Sequence, residues 1–168
     1  MFEKLMNKIV GGKPEQETFV SPLTGTIVSL SEVPDPTFSQ KMMGDGVAIM
    51  PSEGEVVSPV EGKIVQIFPT KHAIGIESKA GIEILIHIGI ETVAMNGEGF
   101  KSFVKEGDKV KAGDRLIRFD LELVKEKAND TVTPVLITNG DQVESMETMS
   151  VVQTSKGETN ILKIKAKK

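Results

Sequence analysis

The chain contains no cysteine, no tryptophan and no tyrosine, and only two histidines among its 168 residues. Without thiols it forms no disulfide, offers no thiolate nucleophile and builds no cysteine-based zinc site. That usage fits a reducing compartment. Aromatic surface rests on seven phenylalanines, which leaves little for stacking bases or sugars. A basic excess is also missing: 20 Lys and Arg stand against 24 Asp and Glu, a net charge of −4. Nucleic-acid binding, which is driven by clustered cations, is therefore disfavoured. No apolar run approaches the ~20 residues that span a bilayer, and the N-terminal stretch lacks the long apolar core and small-residue cleavage site of an export signal. These absences point to a cytoplasmic protein whose length suits one domain with a substantial core.

Residues 1–10 differ in pattern from the rest of the chain. Phe2, Leu5, Met6, Ile9 and Val10 fall at helical spacing, with Glu3, Lys4, Asn7 and Lys8 between them. Gly11-Gly12-Lys13-Pro14 then breaks the pattern. We read residues 1–14 as a short amphipathic segment with its tether, and residues 15–168 as one domain. The segment either docks on the body of the protein or acts as a weak membrane-surface anchor. One Glu against two Lys gives it only slight attraction to anionic lipid.

From about residue 18 the chain becomes a series of short Val-, Ile- and Thr-rich runs punctuated by Gly and Pro. Examples are Gly25-Thr26-Ile27-Val28, Val47-Ala48-Ile49-Met50, Leu116-Ile117-Arg118-Phe119 and Val135-Leu136-Ile137. Such spacing predicts an all-β antiparallel sandwich or barrel. Helix is confined to a turn or two over Asp120–Lys127 and another over Gln40–Met43. An internal repeat supports the β reading. Val20-Ser21-Pro22-Leu23-Thr24-Gly25-Thr26-Ile27-Val28 matches Val57-Ser58-Pro59-Val60-Glu61-Gly62-Lys63-Ile64-Val65 at an offset of 37. Each Pro suits a strand start or edge and each Gly a tight turn. Repeated units of this kind occur in barrel-sandwich folds that close on a pseudo-twofold axis.

Both histidines lie in apolar β-type runs. His87 interrupts Ile84-Leu85-Ile86-His87-Ile88-Gly89-Ile90, and His72 lies fifteen residues earlier in Thr70-Lys71-His72-Ala73-Ile74-Gly75-Ile76. Gly81, after Ser78-Lys79-Ala80, marks a hairpin turn between them. Folding at Lys79-Ala80 sets position 72 about opposite position 87, with β-carbons ~5 Å apart. Taken singly, either histidine reads as an ordinary hydrogen-bonded core residue. Two imidazoles converging on an apolar surface, each with an unperturbed pKa of ~6.5, suggest proton, metal or phosphoryl chemistry.

The residues around His87 narrow that choice. Gly81-Ile82-Glu83-Ile84-Leu85-Ile86-His87-Ile88-Gly89-Ile90-Glu91-Thr92-Val93 resembles the active-site signature of the glucose-family enzyme IIA of the bacterial sugar phosphotransferase system. Val33-Pro34-Asp35-Pro36-Thr37-Phe38, Gly44-Asp45-Gly46-Val47-Ala48-Ile49, Ala73, Gly97-Glu98-Gly99-Phe100 and Phe119-Asp120-Leu121 also look like landmarks of that family. The resemblance runs from about residue 18 to the C-terminus. It implies a duplicated, hybrid-motif-like barrel sandwich and a phosphotransferase component that works as a monomeric phosphocarrier.

In that reading His87 accepts a phosphoryl group from the small carrier HPr and passes it to the enzyme IIB domain of a glucose-type sugar permease. His72 stabilises the phosphoryl oxygens and Thr70 orients the His72 ring. Asp35, Phe38, Met43, Phe68, Ile74, Leu85, Ile88 and Glu91 form the partner surface, an apolar collar with an acidic rim, and Met42 is a further collar candidate. Glu91 stands where the best-known members have Asp, and Ile74 and Ile88 where they have Phe. The unphosphorylated form of such a protein also serves regulation by binding other proteins. No cofactor is implied, although His72 and His87 could share zinc with a partner. The rival reading is a zinc-dependent hydrolase on a related β fold using the two histidines. It lacks a third histidine, and a catalytic zinc normally takes three protein ligands. A lipoyl or biotinyl carrier would need a Lys in a Met-Lys-Met or Asp-Lys-Ala setting, and neither string occurs.

Overall fold

The computed structural model describes residues 14–167, so the amphipathic stretch 1–10 lies outside the described residues. The first half carries β1 (Gln16–Val20), β2 (Gly25–Val28), a short helix α1 (Pro36–Ser39), β3 (Asp45–Pro51), β4 (Glu55–Val57), β5 (Gly62–Ile67), β6 (Ala73–Ser78) and β7 (Glu83–His87). The second half adds β8 (Phe100–Ser102), β9 (Lys109–Val110), β10 (Arg115–Phe119), helix α2 (Leu121–Lys127), β11 (Thr133–Ile137), β12 (Val143–Thr148), β13 (Gln153–Thr154) and β14 (Asn160–Ala166). Three sheets result, ordered β1-β14-β12, β4-β10-β8 and β13-β2-β3-β11-β7-β6-β5-β9. Every pairing is antiparallel, so the all-β expectation holds.

The repeat is structural. Val20 N–H donates to the Pro59 carbonyl and Val57 N–H to the Pro22 carbonyl, both at 2.9 Å. The two Ser-Pro units thus exchange hydrogen bonds about a pseudo-twofold axis. The Ser21 and Ser58 hydroxyls repeat the symmetry, donating to the Leu23 and Val60 carbonyls at 2.7 Å each. Both are fully buried, where an unpaired carbonyl would cost about 1–3 kcal/mol.

The eight-stranded sheet has two apolar faces, and this explains the unbroken hydrophobic run around His87. On one face the register aligns Ile74 with Ile86, Ile76 with Ile84, and Val135 with Ile86 and Val47. These side chains belong to the main core. On the other face lie Val28, Ala48, Leu136, Leu85 and Ala73, which form a second, smaller cluster with Leu30, Val33, Phe38, Ile90 and Val132. Strand alternation sends successive residues to opposite faces. His87 therefore shares the smaller cluster's face with Leu85, two residues before it.

That second face is covered by the segment from Ser29 to Ser39, which is held by local caps. Ser29 and Glu32 form a reciprocal capping box around a single 3-10 turn, Leu30–Glu32. Asp35 accepts a hydrogen bond from Thr37 N–H at 2.9 Å, and Pro36 occupies the first turn of α1. The turn expected at Gln40–Met43 is therefore displaced: the helix starts at the Asp35-Pro36 cap. Just beyond its C-cap Gln40, Lys41 adopts φ 58°. Met42 and Met43 come next, in a loop. The helix expected near Asp120–Lys127 is α2, capped by Asp120 on Leu123 N–H at 3.1 Å.

Candidate functional site

His87 ends β7, and His72 immediately precedes β6. The register differs by one residue from the sequence expectation. Ala73, not His72, pairs with His87, and Glu77 with Glu83. The turn spans Ser78 to Ile82, closed by Ser78 N–H to the Ile82 carbonyl at 2.8 Å, with Gly81 at φ 89°. Strict alternation would point His72 away from His87. His72 escapes it because it lies outside the strand, after a turn in which Lys71 adopts φ 59°. Its carbonyl accepts from Ile88 N–H at 2.7 Å, which fastens the loop to the end of β7. Ala73, fully buried, leaves room for both rings.

Four rings line up across this face. Phe38 lies 4.9 Å from His87, His87 lies 5.0 Å from His72, and His72 lies 5.3 Å from Phe68, all between ring centroids. The two imidazoles meet edge to face at 79°. His72 is only 3% exposed, whereas His87 is part-exposed.

Each ring is oriented through its Nδ1. His87 Nδ1 lies 2.8 Å from the Gly89 carbonyl. A carbonyl only accepts, so Nδ1 carries the proton and the Nε2 lone pair is free. Gly89 sits at φ 70°, and a β-carbon there would meet Thr92 Cγ2 at 2.7 Å and the Asp130 carbonyl at 2.9 Å. Glycine is thus required for the turn that delivers this carbonyl. His72 Nδ1 is hydrogen-bonded to Thr70 Oγ1. The His72 pKa is lowered to about 4, first by burial and then by the proximity of His87. Burial also lowers that of His87, opposed by the Gly89 carbonyl and the Asp35 carboxylate. Both rings are neutral at neutral pH, and a neutral imidazole is the nucleophilic form.

The structure divides the expected partner-surface residues. Phe38 and Phe68 pack directly on the two histidines. Met42 and Met43 are 71% and 39% exposed, and Glu91 is exposed with φ 63°. Asp35 is part-buried and acts electrostatically on His87. Ile74 and Ile88 require correction: both are fully buried in the main core, because alternation turns them to the face opposite His87. Leu85 is 7% exposed and forms the floor beneath the rings. Sequence reasoning missed the Gly89 carbonyl, whose signal was the His-apolar-Gly spacing. It also missed Leu30 and Val33, which close the floor from a segment with no strand periodicity. Among the described residues, no group of three or more metal-ligating side chains converges.

The antiparallel fold that carries this pair of imidazoles is shared with known proteins in three comparisons. The family model for the phosphoenolpyruvate-dependent sugar phosphotransferase system, EIIA 1, matches residues 17–143. The chain is 58% identical over 167 residues to the PTS system glucose-specific EIIA component of Bacillus cereus, covering 99% of this chain and 100% of that protein. It is 56% identical over 170 residues to the component of the same name from Halalkalibacterium halodurans, covering 98% of each. The solved structure of glucose permease IIA from Mycoplasma capricolum matches with a TM-score of 0.83 and 40% identity, covering 89% of this chain and 96% of that one. The chain belongs to the glucose-type EIIA family of the phosphoenolpyruvate-dependent sugar phosphotransferase system.

Proposed function

We propose that this chain carries a phosphoryl group on Nε2 of His87, received from phospho-HPr and passed to the enzyme IIB domain of a glucose-type permease. The observation that carries the reading is the bond from His87 Nδ1 to the Gly89 carbonyl at 2.8 Å, which leaves Nε2 unprotonated on a part-exposed ring. In each transfer one P–N bond breaks as another forms, so the site needs positioning and charge stabilisation more than covalent machinery. With Nδ1 accepting from the Thr70 hydroxyl, neutral His72 holds its proton on Nε2 and donates it to the phosphoryl oxygens. The flanking rings of Phe38 and Phe68 keep water from the phosphoramidate.

Asp35 and Glu91 form the acidic rim that draws a partner bearing cations beside its own histidine. Met42, Met43, Phe38 and Phe68 supply the apolar contact. The same face, unphosphorylated, would serve regulatory binding. Such a carrier works in the cytoplasm, and among the described residues no helix is long and apolar enough to cross a membrane. The zinc-hydrolase alternative finds no third ligand among those residues.

The test is incubation with phosphoenolpyruvate, enzyme I and HPr. Wild type should acquire an acid-labile, alkali-stable label, and His87→Ala should acquire none. Retained labelling of His87→Ala would refute the assignment.

A further inference from the structure

The chain contains two Asn-Gly pairs, Asn96-Gly97 and Asn139-Gly140. Asparagine is a thermolabile amide. A following glycine leaves it most open to attack, because no side chain hinders the approach of the next backbone nitrogen to its Cγ. The fold treats the two pairs oppositely. Asn139 has both ends of its amide engaged: Oδ1 accepts from Glu83 N–H and Nδ2 donates to the Gly81 carbonyl, each at 2.8 Å. Asn96 is exposed, and among the described residues its side chain makes no hydrogen bond. The N–H of Gly97 likewise has no partner among them.

Asn96 is the C-cap of a 3-10 turn over Thr92–Met95 and adopts φ 54°, ψ 34°. Asparagine is favoured among non-glycine residues in that left-handed region, which accounts for its place in the turn. Its backbone N–H donates to the Val93 carbonyl at 3.2 Å. Attack by Gly97 on the side chain swings the 96–97 peptide away from this ψ, a local opening that an exposed turn undergoes readily. The same swing at Asn139 would first have to release both side-chain bonds. The turn borders the histidine face at both ends. Glu91 is its N-cap. Gly97, at φ 84°, packs on the loop before β6: a β-carbon there would stand 3.6 Å from the Thr70 carbonyl oxygen. Thr70 is the residue whose hydroxyl is bonded to His72 Nδ1.

We propose that Asn96 is a site of spontaneous deamidation and that its isoaspartyl product displaces the Thr70–His72 loop. The Gly97 nitrogen gives up its proton and attacks Asn96 Cγ. A C–N bond forms, the Cγ–Nδ2 bond breaks, and ammonia leaves with that proton. Water then opens the succinimide. Opening at Cγ restores the ordinary chain with Asp at position 96. Opening at the backbone carbonyl carbon of residue 96 leaves Cγ joined to the Gly97 nitrogen, which is isoaspartate. Both products add a negative charge, and the second also lengthens the main chain by one carbon where it meets Thr70.

The test is ageing of the full chain in warm, mildly alkaline buffer made with ¹⁸O water. Its peptides are read by mass spectrometry, with fragmentation that separates aspartate from isoaspartate. Residue 96 should convert with uptake of ¹⁸O, on the order of 10-fold faster than residue 139, whose two hydrogen bonds must open first. Asn96→Gly, which accepts a positive φ, should lose the signal at 96 and keep the slow one at 139. Conversion at residue 139 as fast as at residue 96, or none at residue 96, would overturn the site. The isoaspartyl chain, separated by ion exchange, is then compared by NMR with Asn96→Asp, which carries the same charge without the extra carbon. Its backbone amides at Thr70 to His72 should shift further than those of Asn96→Asp, while β12 and β14 stay unmoved. Shifts confined to residues 95–99, or no larger at 70–72 than in Asn96→Asp, would overturn the coupling to the loop. Neither readout involves phosphoryl transfer, so both are independent of the function proposed above.

Discussion

Two imidazoles 5.0 Å apart cannot both hold a proton at little cost. Burial and proximity together keep His72 neutral down to about pH 4, well below its ordinary value of 6.5. Above pH 6.5 the ring is neutral in folded and unfolded chain alike, and stability does not change on its account. As pH falls from 6.5 towards 4, the unfolded chain takes up a proton that the folded chain refuses, and stability is lost. Below about pH 4 both states are protonated and the loss levels off. At ~1.4 kcal/mol per pKa unit, the loss reaches about 3 kcal/mol. Urea unfolding at pH 7 and pH 4 should therefore show a larger drop for wild type than for His72→Gln, by up to that amount. The buried Glu17, whose pKa burial raises, titrates equally in both proteins and cancels from the comparison. An identical drop in both would mean that His72 is not held neutral by its surroundings.

At the level of elements, the decisive piece is the turn after β7. Gly89→Ala forces a β-carbon against Thr92 and the Asp130 carbonyl at a positive φ. It should destabilise the fold by about 1–3 kcal/mol and shift the carbonyl that holds His87 Nδ1. A displacement of ~1 Å in such a site costs about 10²-fold in rate, so labelling by phospho-HPr should slow by that order while the protein still folds at low temperature. A full wild-type rate would show that the carbonyl does not set the ring. β7, which ends on His87, and β6, which begins just after His72, were legible from their apolar runs and from Gly81. The register was not, because periodicity marks a turn without counting its residues, and the Ser78–Ile82 turn is one residue out of phase with a fold at Lys79-Ala80. The family resemblance placed Ile74 and Ile88 on the partner face, whereas one step in the side-chain alternation puts both in the main core.

For the whole molecule, the repeat at residues 20–28 and 57–65 was visible as a string and proved to be the pair of units that exchange hydrogen bonds about the pseudo-twofold axis. What the string could not supply was the cover. Capping signals such as Ser29 with Glu32, and Asp35 with Pro36, are local. Which face of the sheet Leu30, Val33 and Phe38 close over is a tertiary outcome of apolar burial. The result is a large core on one side of the sheet and a small apolar floor carrying two histidines on the other. The proposed function rests on this arrangement leaving one particular nitrogen free to take the phosphoryl group. NMR of the phosphorylated protein, with ¹⁵N in the histidine rings, tests that directly. We predict phosphorus–nitrogen coupling at Nε2 of His87 alone, with Nδ1 still protonated on the Gly89 carbonyl. Coupling at His87 Nδ1, or at either nitrogen of His72, would contradict it.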